Sequence, residues 1–335
     1  MEIGLLRTQS LRCVSKMNSL SAFVPTLFCR IFAPIIKKTS YMPTAIMSHL
    51  VCSLVIILAF GLASCQSPTE KSRSQPAQHI ATANDTSIVA LALLPTMDCL
   101  PYYYAAERGY FGRHSLTVRV LSFDSQRDCD TAIIGRTQAF GVTDEKRLAA
   151  MAREGQQLKA VQSLPRQYSL VVCGHLRIKS LPQLALHTIG ASRISAAQYW
   201  LEKVAATAGI PPANVMRPQI NSLHLRTTML DEDQLDAAIL PEPYVSMARV
   251  AGHRVLWTSA AEPVMACLAV GKLHKRADVQ ASALLKSYDM AVDSLNARGK
   301  GAARDILLGT YGLTPAAVDS LTWPKFEHAS RPTVR

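Results

Sequence analysis

From residue 87 onward, short β-branched or apolar runs alternate with helical patterns, and this alternation restricts the fold of the 335-residue chain more than any other feature. The runs lie at 87–94, 116–121, 139–142, 158–163 and 169–173, with amphipathic stretches at 102–108, 126–134 and 144–154 between them. A second set follows, with strands expected at 188–191, 215–217, 237–240, 254–257 and 264–270. Its clearest helix spans 195–207, where Ser195 and Gln198 suit a capping box and Gly209 supplies the stop. The end of the chain reads as helical over 277–297, 301–311 and 315–321. Strand and helix in alternation predict α/β lobes with substantially parallel sheets.

The residues before this region read as an address. Residues 50–63, LVCSLVIILAFGLA, form an apolar run too short for a comfortable membrane span and suited to a signal-peptide core. The run ends in Leu62-Ala63-Ser64-Cys65, which resembles a bacterial lipobox. Small side chains let a peptidase reach the bond before Cys65, and the thiol takes a lipid. A chance match at the end of a buried helix is the alternative. Residues 66–84 are polar and rich in Ser, Gln and Pro, as in a tether. The expected division is an upstream segment and lipoprotein signal peptide at 1–64 and a lipid-anchored tether at 65–85.

The 36 Lys and Arg against 24 Asp and Glu give a formal charge of +12, which alone would suggest nucleic acid. Six of those basic residues precede Cys65, and no Lys/Arg run with interleaved aromatics follows it, so no nucleic-acid partner is expected. Cys99, Cys129, Cys173 and Cys267 show no CxxC spacing, and neither HxxxH nor HExxH occurs, so no metal site is expected. Those four cysteines could pair in three ways or remain as buried free thiols.

In open α/β sheets ligands bind beyond the carboxyl ends of strands, near helix N-termini. The ligand candidates are therefore Asp98, Thr143, Asp144, Ser192, Arg193, Ser195 and Glu242. Tyr102 and Tyr103 join them as rings that open a helix and could stack on a planar solute. Ser192, Ser195 and Arg193 could hold an acidic oxygen, while the carboxylates would favour an amine or other donor.

Pro101-Tyr102-Tyr103-Tyr104-Ala105-Ala106, then Gly109-Tyr110-Phe111 and Leu116-Thr117-Val118, resembles the opening of solute-binding proteins for sulfonates, nitrate and thiamine precursors. Agreement continues through 155–161 and 178–184, and through Leu235-Asp236-Ala237-Ala238 with Glu242-Pro243-Tyr244. Two departures stand out: Ala185-Leu186-His187 replaces a Gly-Lys, and Ile194-Ser195 replaces a Gly-Ser. The resemblance implies a periplasmic-binding-protein type II (Venus flytrap) fold, two α/β lobes with a ligand cleft between them. Lobe I would comprise 86–177 and 264–335, and lobe II 178–263, with crossings near 173–181 and 261–265. A further helix would be expected after Phe326.

The function so implied is a lipid-anchored, extracytoplasmic, monomeric receptor that carries a small nitrogen-containing or sulfonate-like solute to an ABC permease and ATPase. It needs no cofactor and performs no chemistry. The alternative is an exported enzyme on the same fold, acting on a pyrimidine-like substrate. No GxSxG, GxGxxG or GxxxxGK[ST] occurs, and Cys173 with His175 lacks a visible third partner.

Overall fold

A computed structural model describes residues 88–136, 139–260, 266–271 and 275–330. Cys65, the signal peptide, the tether and the crossing at 261–265 lie outside the described residues. The chain runs β1 (Ile88–Leu93), α1 (Leu100–Glu107), α2 (Tyr110–Arg113), β2 (Thr117–Ser122), α3 (Gln126–Gly135), β3 (Ala139–Asp144), α4 (Glu145–Arg153) and β4 (Leu158–Leu164). It continues through β5 (Tyr168–Val172), β6 (Ile189–Gly190), α5 (Ala196–Thr207), α6 (Leu223–Asp231), β7 (Ala237–Pro241), α7 (Tyr244–Val250) and β8 (Arg254–Thr258). It ends with β9 (Ala266–Gly271), α8 (Ala277–Arg298), α9 (Arg304–Gly309) and α10 (Pro315–Ser320).

These strands build two sheets, in the orders β2-β1-β3-β9-β4 and β6-β7-β5-β8. The fold is thus two α/β lobes, each with its own sheet. The sheets are mixed rather than substantially parallel. β1 is parallel to β2 and β3, and β6 to β7, whereas β9 runs antiparallel to β3 and β4, and β5 to β7 and β8. The two odd strands are those that follow a passage from one sheet to the other, so each enters its sheet against the direction of its neighbours.

β5 was expected to close the first set, yet it is a central strand of the second sheet, between β7 and β8. The first passage is accordingly Pro165-Arg166-Gln167, upstream of the expected crossing. The strand expected at 215–217 is reduced to isolated bridges, Thr188 with Met216 and Ala191 with Gln219. Pro218, just past its end and between the two bridges, has no N–H with which to continue the ladder.

Period-2 alternation explains how the second sheet is covered. Leu170 and Val172 of β5 pack on one face with Trp200 and Leu201 of α5. Val171 and Cys173 pack on the other with Leu223 and Leu230 of α6 and Tyr244 of α7. In the first sheet Leu91 and Leu93 join a core with α1 and the long helix α8. Ala92 and Leu94 face the opposite way, toward Cys129 and Ile133 of α3. All four described cysteines are buried free thiols. Among the described residues, no helix is long and apolar enough to cross a membrane.

Side-chain caps start the helices that follow strand ends. Ser125, Asp144, Ser195 and Ser222 accept backbone N–H bonds at the starts of α3, α4, α5 and α6. The lobes also meet backbone to backbone: Met97 N–H donates to the carbonyl of Glu242 at 3.1 Å, and Leu223 N–H to that of Asp124 at 3.1 Å.

Candidate functional site

Arg166, in the short passage between the sheets, stands at the centre of the crevice. Its guanidinium grips Asp98 with two bonds, Nε to Oδ1 at 2.9 Å and Nη2 to Oδ2 at 2.6 Å. Further contacts reach Thr96 Oγ1 at 3.4 Å and Gln126 Oε1 at 3.5 Å. Asp98 follows β1 and Gln126 opens α3, so one arginine ties three chain segments together. Both members of the pair are buried, 4% and 2% exposed at the side chain. A buried pair with matched fork geometry loses its net charge locally, so Asp98 is not free to attract a cationic ligand.

Two recesses flank Arg166. The larger, about 410 Å³, is bounded by Asp98, Glu242, Glu327, Arg166, Arg249 and Lys325, so that its carboxylates and cations balance. That volume lies in the range of small-molecule sites. The smaller recess, about 20 Å³, lies among Asp144, Arg166, Tyr168, Ser192 and Arg226. It has room for about one water-sized group.

Arg226 is the residue that sequence reasoning missed. It projects from α6, is 2% exposed, and donates to the carbonyls of Ile220 and Ile239, each at 2.8 Å, and of Asn221 at 3.5 Å. Among the described residues no carboxylate pairs with it. Burial lowers its pKa to about 10, so it remains a cation at neutral pH. α6 was not anticipated because its apolar residues do not form a clear stripe; Ser222 as cap was the available signal. Arg166 could have been noticed as a cation in the turn between two apolar runs.

The expected site residues divide in position. Asp98, Asp144, Ser192 and Glu242 line the recesses. Asp144 is 2% exposed, and burial pushes its carboxyl up to about 6 although it accepts the Arg147 N–H at 3.0 Å and faces that of Ala196. Glu242 is also pushed above the usual carboxylate range by burial, against the opposing effect of the Ser246 N–H at 3.0 Å and Arg249 at 3.8 Å. Thr143 is fully buried beside Asp130 and borders neither recess.

Tyr102 and Tyr103 do not stand over the crevice. Tyr102 is fully buried, its hydroxyl on Gln162 and its ring 4.8 Å from that of Tyr288. Tyr103 bonds Ser122 at 2.8 Å and meets Tyr311 edge to face. Both rings are drawn inward because α1 is apolar on almost every side and packs between β2 and α8. Arg193 is exposed and borders neither recess, a consequence of the turn that Ile194 makes with φ 50°.

Ser195 caps α5 by accepting Gln198 N–H at 3.3 Å, and its own proton goes to the Ser192 carbonyl at 2.7 Å. In the 2.9 Å hydroxyl pair Ser192 is therefore the donor. Gln198 completes the turn by accepting the N–H of Ile194, not that of Ser195 as in a true capping box.

The sequence matches the family described as NMT1/THI5-like over residues 96–268. Among curated proteins, no sequence matches the chain. Solved structures share its fold. The alkanesulfonate-binding protein SsuA from Xanthomonas axonopodis pv. citri, bound to MOPS, has a TM-score of 0.63 and 14% identity over 76% of this chain and 89% of its own. The zinc-bound ligand-binding component of an ABC-type import system from Staphylococcus aureus has a TM-score of 0.62 and 15% identity, covering 72% and 86%. The periplasmic nitrate-binding protein NrtA from Synechocystis PCC 6803 has a TM-score of 0.59 and 11% identity, covering 74% of each chain. All three share the periplasmic-binding-protein fold with this chain.

Proposed function

The chain belongs to the NMT1/THI5-like family, and on that premise we propose that it is a solute receptor of an ABC importer, which binds a small molecule without chemistry and hands it to a permease and ATPase. Arg226 is the observation that carries this reading: a buried cation with no carboxylate partner among the described residues, at the wall of a crevice between two lobes. Leaving such a charge buried costs stability, and an acidic group on a solute would compensate it.

The solute we propose is small and carries an acidic, sulfonate-like group together with an amine or other nitrogen donor. The acidic group belongs toward Arg226, with Ser192 nearby, and the donor toward Glu242 in the larger recess. Opening of the crevice would admit the acidic group, since the smaller recess holds only about one water-sized group. The lobes we propose are 86–164 with 266–335, and 168–260. The receptor is a monomer held by lipidated Cys65 to a bacterial membrane on its extracytoplasmic side.

Calorimetry on the purified protein tests the reading with an aminoalkanesulfonate, a plain alkanesulfonate, nitrate and a polyamine. The aminoalkanesulfonate should bind most tightly, and Glu242→Gln should weaken it about tenfold or more, as expected for a lost charge-assisted bond. Nitrate bound tightly and unaffected by that substitution would overturn the choice of solute. Turnover of any of these compounds would overturn the receptor reading.

A further inference from the structure

Cys173, His175 and Asp233 bring three ligand atoms together at the end of the second sheet remote from the crevice. Cys173 Sγ lies 3.2 Å from His175 Nδ1 and 3.2 Å from Asp233 Oδ1, and the nitrogen and oxygen are 2.8 Å apart. Val172 stands opposite Ala237 and Tyr168 opposite Pro241, so the full length of β5 separates this cluster from the crevice.

The geometry excludes a catalytic triad. In a triad the imidazole uses one ring nitrogen toward the nucleophile and the other toward the carboxylate. Here sulfur and carboxylate oxygen both face Nδ1 and also face each other, as donors around a common point do. That point lies about 1.8 Å from each atom, so an ion about 1 Å above their plane would reach all three at the 2.0–2.3 Å typical of zinc ligands without rearrangement. We propose that Cys173, His175 and Asp233 form a binding site for a divalent transition-metal ion of the zinc class, separate from the solute crevice.

The donor set is one thiolate, one imidazole and one carboxylate, which suits zinc and its neighbours and disfavours magnesium or calcium. The side chains of His175 and Asp233 are 54% and 66% exposed, so water can complete a tetrahedron from the solvent side. On binding, the thiol proton leaves to bulk water and no redox change occurs.

The backbone that carries the ligands is fixed. Cys173 N–H donates to the Asp236 carbonyl at 2.9 Å. Gly174 N–H donates to His253 Nδ1 at 3.0 Å, which leaves His253 Nε2–H to donate to Asp231 at 2.7 Å. A side chain at residue 174 would sit 2.4 Å from the Gly252 carbonyl, so glycine is required between the two ligands. Asp233 adopts φ 57°, a left-handed conformation that aspartate tolerates.

The test titrates cobalt(II) into the reduced, purified full chain and reads the near-ultraviolet sulfur-to-cobalt charge-transfer band. A single-site band is expected, bleached by zinc, absent in Cys173→Ser and shifted to at least tenfold higher cobalt in His175→Ala and Asp233→Asn. The last two positions are exposed, so those variants serve if Cys173→Ser does not fold. Absence of the band at large cobalt excess overturns the proposal, as does a band unchanged in any of the three variants.

Discussion

The carboxylate of Asp144, at the end of β3, accepts the Arg147 N–H at 3.0 Å and faces the backbone N–H of Ala196, the first residue of α5. A side chain of one lobe thereby occupies the positive end of a helix from the other, where a ligand's acidic group would otherwise be stabilised. Burial raises its pKa to about 6 from the ordinary aspartate value of about 3.9. The folded protein therefore binds more protons than the unfolded chain between those values, and this group adds stability as pH falls through about 6 and costs stability above it.

Asp144→Asn keeps the capping oxygen and removes the charge. At neutral pH the variant should be more stable than the native protein by up to about 3 kcal/mol, and the difference should shrink below about pH 5. Asp130 and Glu242, also raised, contribute slopes of the same sign, and Asp236, lowered, one of the opposite sign. Urea titrations of both proteins at the two pH values isolate the Asp144 share, and an equal difference at both would refute it.

Asp98→Asn should leave Arg166 buried and unpaired, at a cost of about 3–5 kcal/mol. Replacing both members, with Asp98→Leu and Arg166→Met, should cost less than the single change. Denaturant midpoints give the comparison, and a double variant less stable than Asp98→Asn would show that the pair itself is a net source of stability.

Tyr102→Phe removes a hydroxyl bonded to Gln162 and leaves the ring against Tyr288. The expected loss is about 1 kcal/mol of stability with solute affinity unchanged. An affinity loss of about tenfold, worth about 1.4 kcal/mol, would put the ring at the ligand after all.

Ile194 holds φ 50° while 57% exposed, so a β-branched residue sits in left-handed backbone with little burial to offset the strain. Ile194→Gly should relieve about 1–2 kcal/mol of strain, of which glycine's unfolded freedom takes back about half. A melting temperature raised by about 1–4 °C is expected. An unchanged or lower value would mean that the side chain contributes packing that its exposure does not reveal.

Cys65→Ser tests the anchor. The substituted chain should accumulate as unlipidated, uncleaved precursor, read by intact mass and by partition into detergent. Normal cleavage at another site would count against the lipidation of Cys65.

Strand runs and helix starts were legible where periodicity and caps coincide. Ser195 begins α5 as its position before an apolar face implies, and residues 88–93 and 237–241 are strands where continuous apolar runs stand. Sheet membership was not legible, because β5 is apolar on both faces in the same way whichever sheet receives it. The crevice was legible as strand ends, which located Asp98, Asp144, Ser192 and Glu242, but its charge balance was not. Arg226 reaches the recess from a helix with no amphipathic signature, and Asp98 is neutralised by a residue 68 positions away. Tyr102 and Tyr103 lie in the core, which the sequence does not reveal because an aromatic cluster at a helix start reads alike for stacking and for core packing. Asp233 could not be joined to Cys173 and His175 from spacing, since a turn 58 residues downstream brings it there.

The meeting of Met97 N–H with the Glu242 carbonyl involves no side chain. A contact made only of main-chain groups does not depend on the side chains at those positions, provided that residue 97 is not proline. Mutations that redraw the walls of the crevice can therefore change what it binds while this contact between the lobes survives, and a lineage of such proteins can diversify in its ligands without rebuilding that junction.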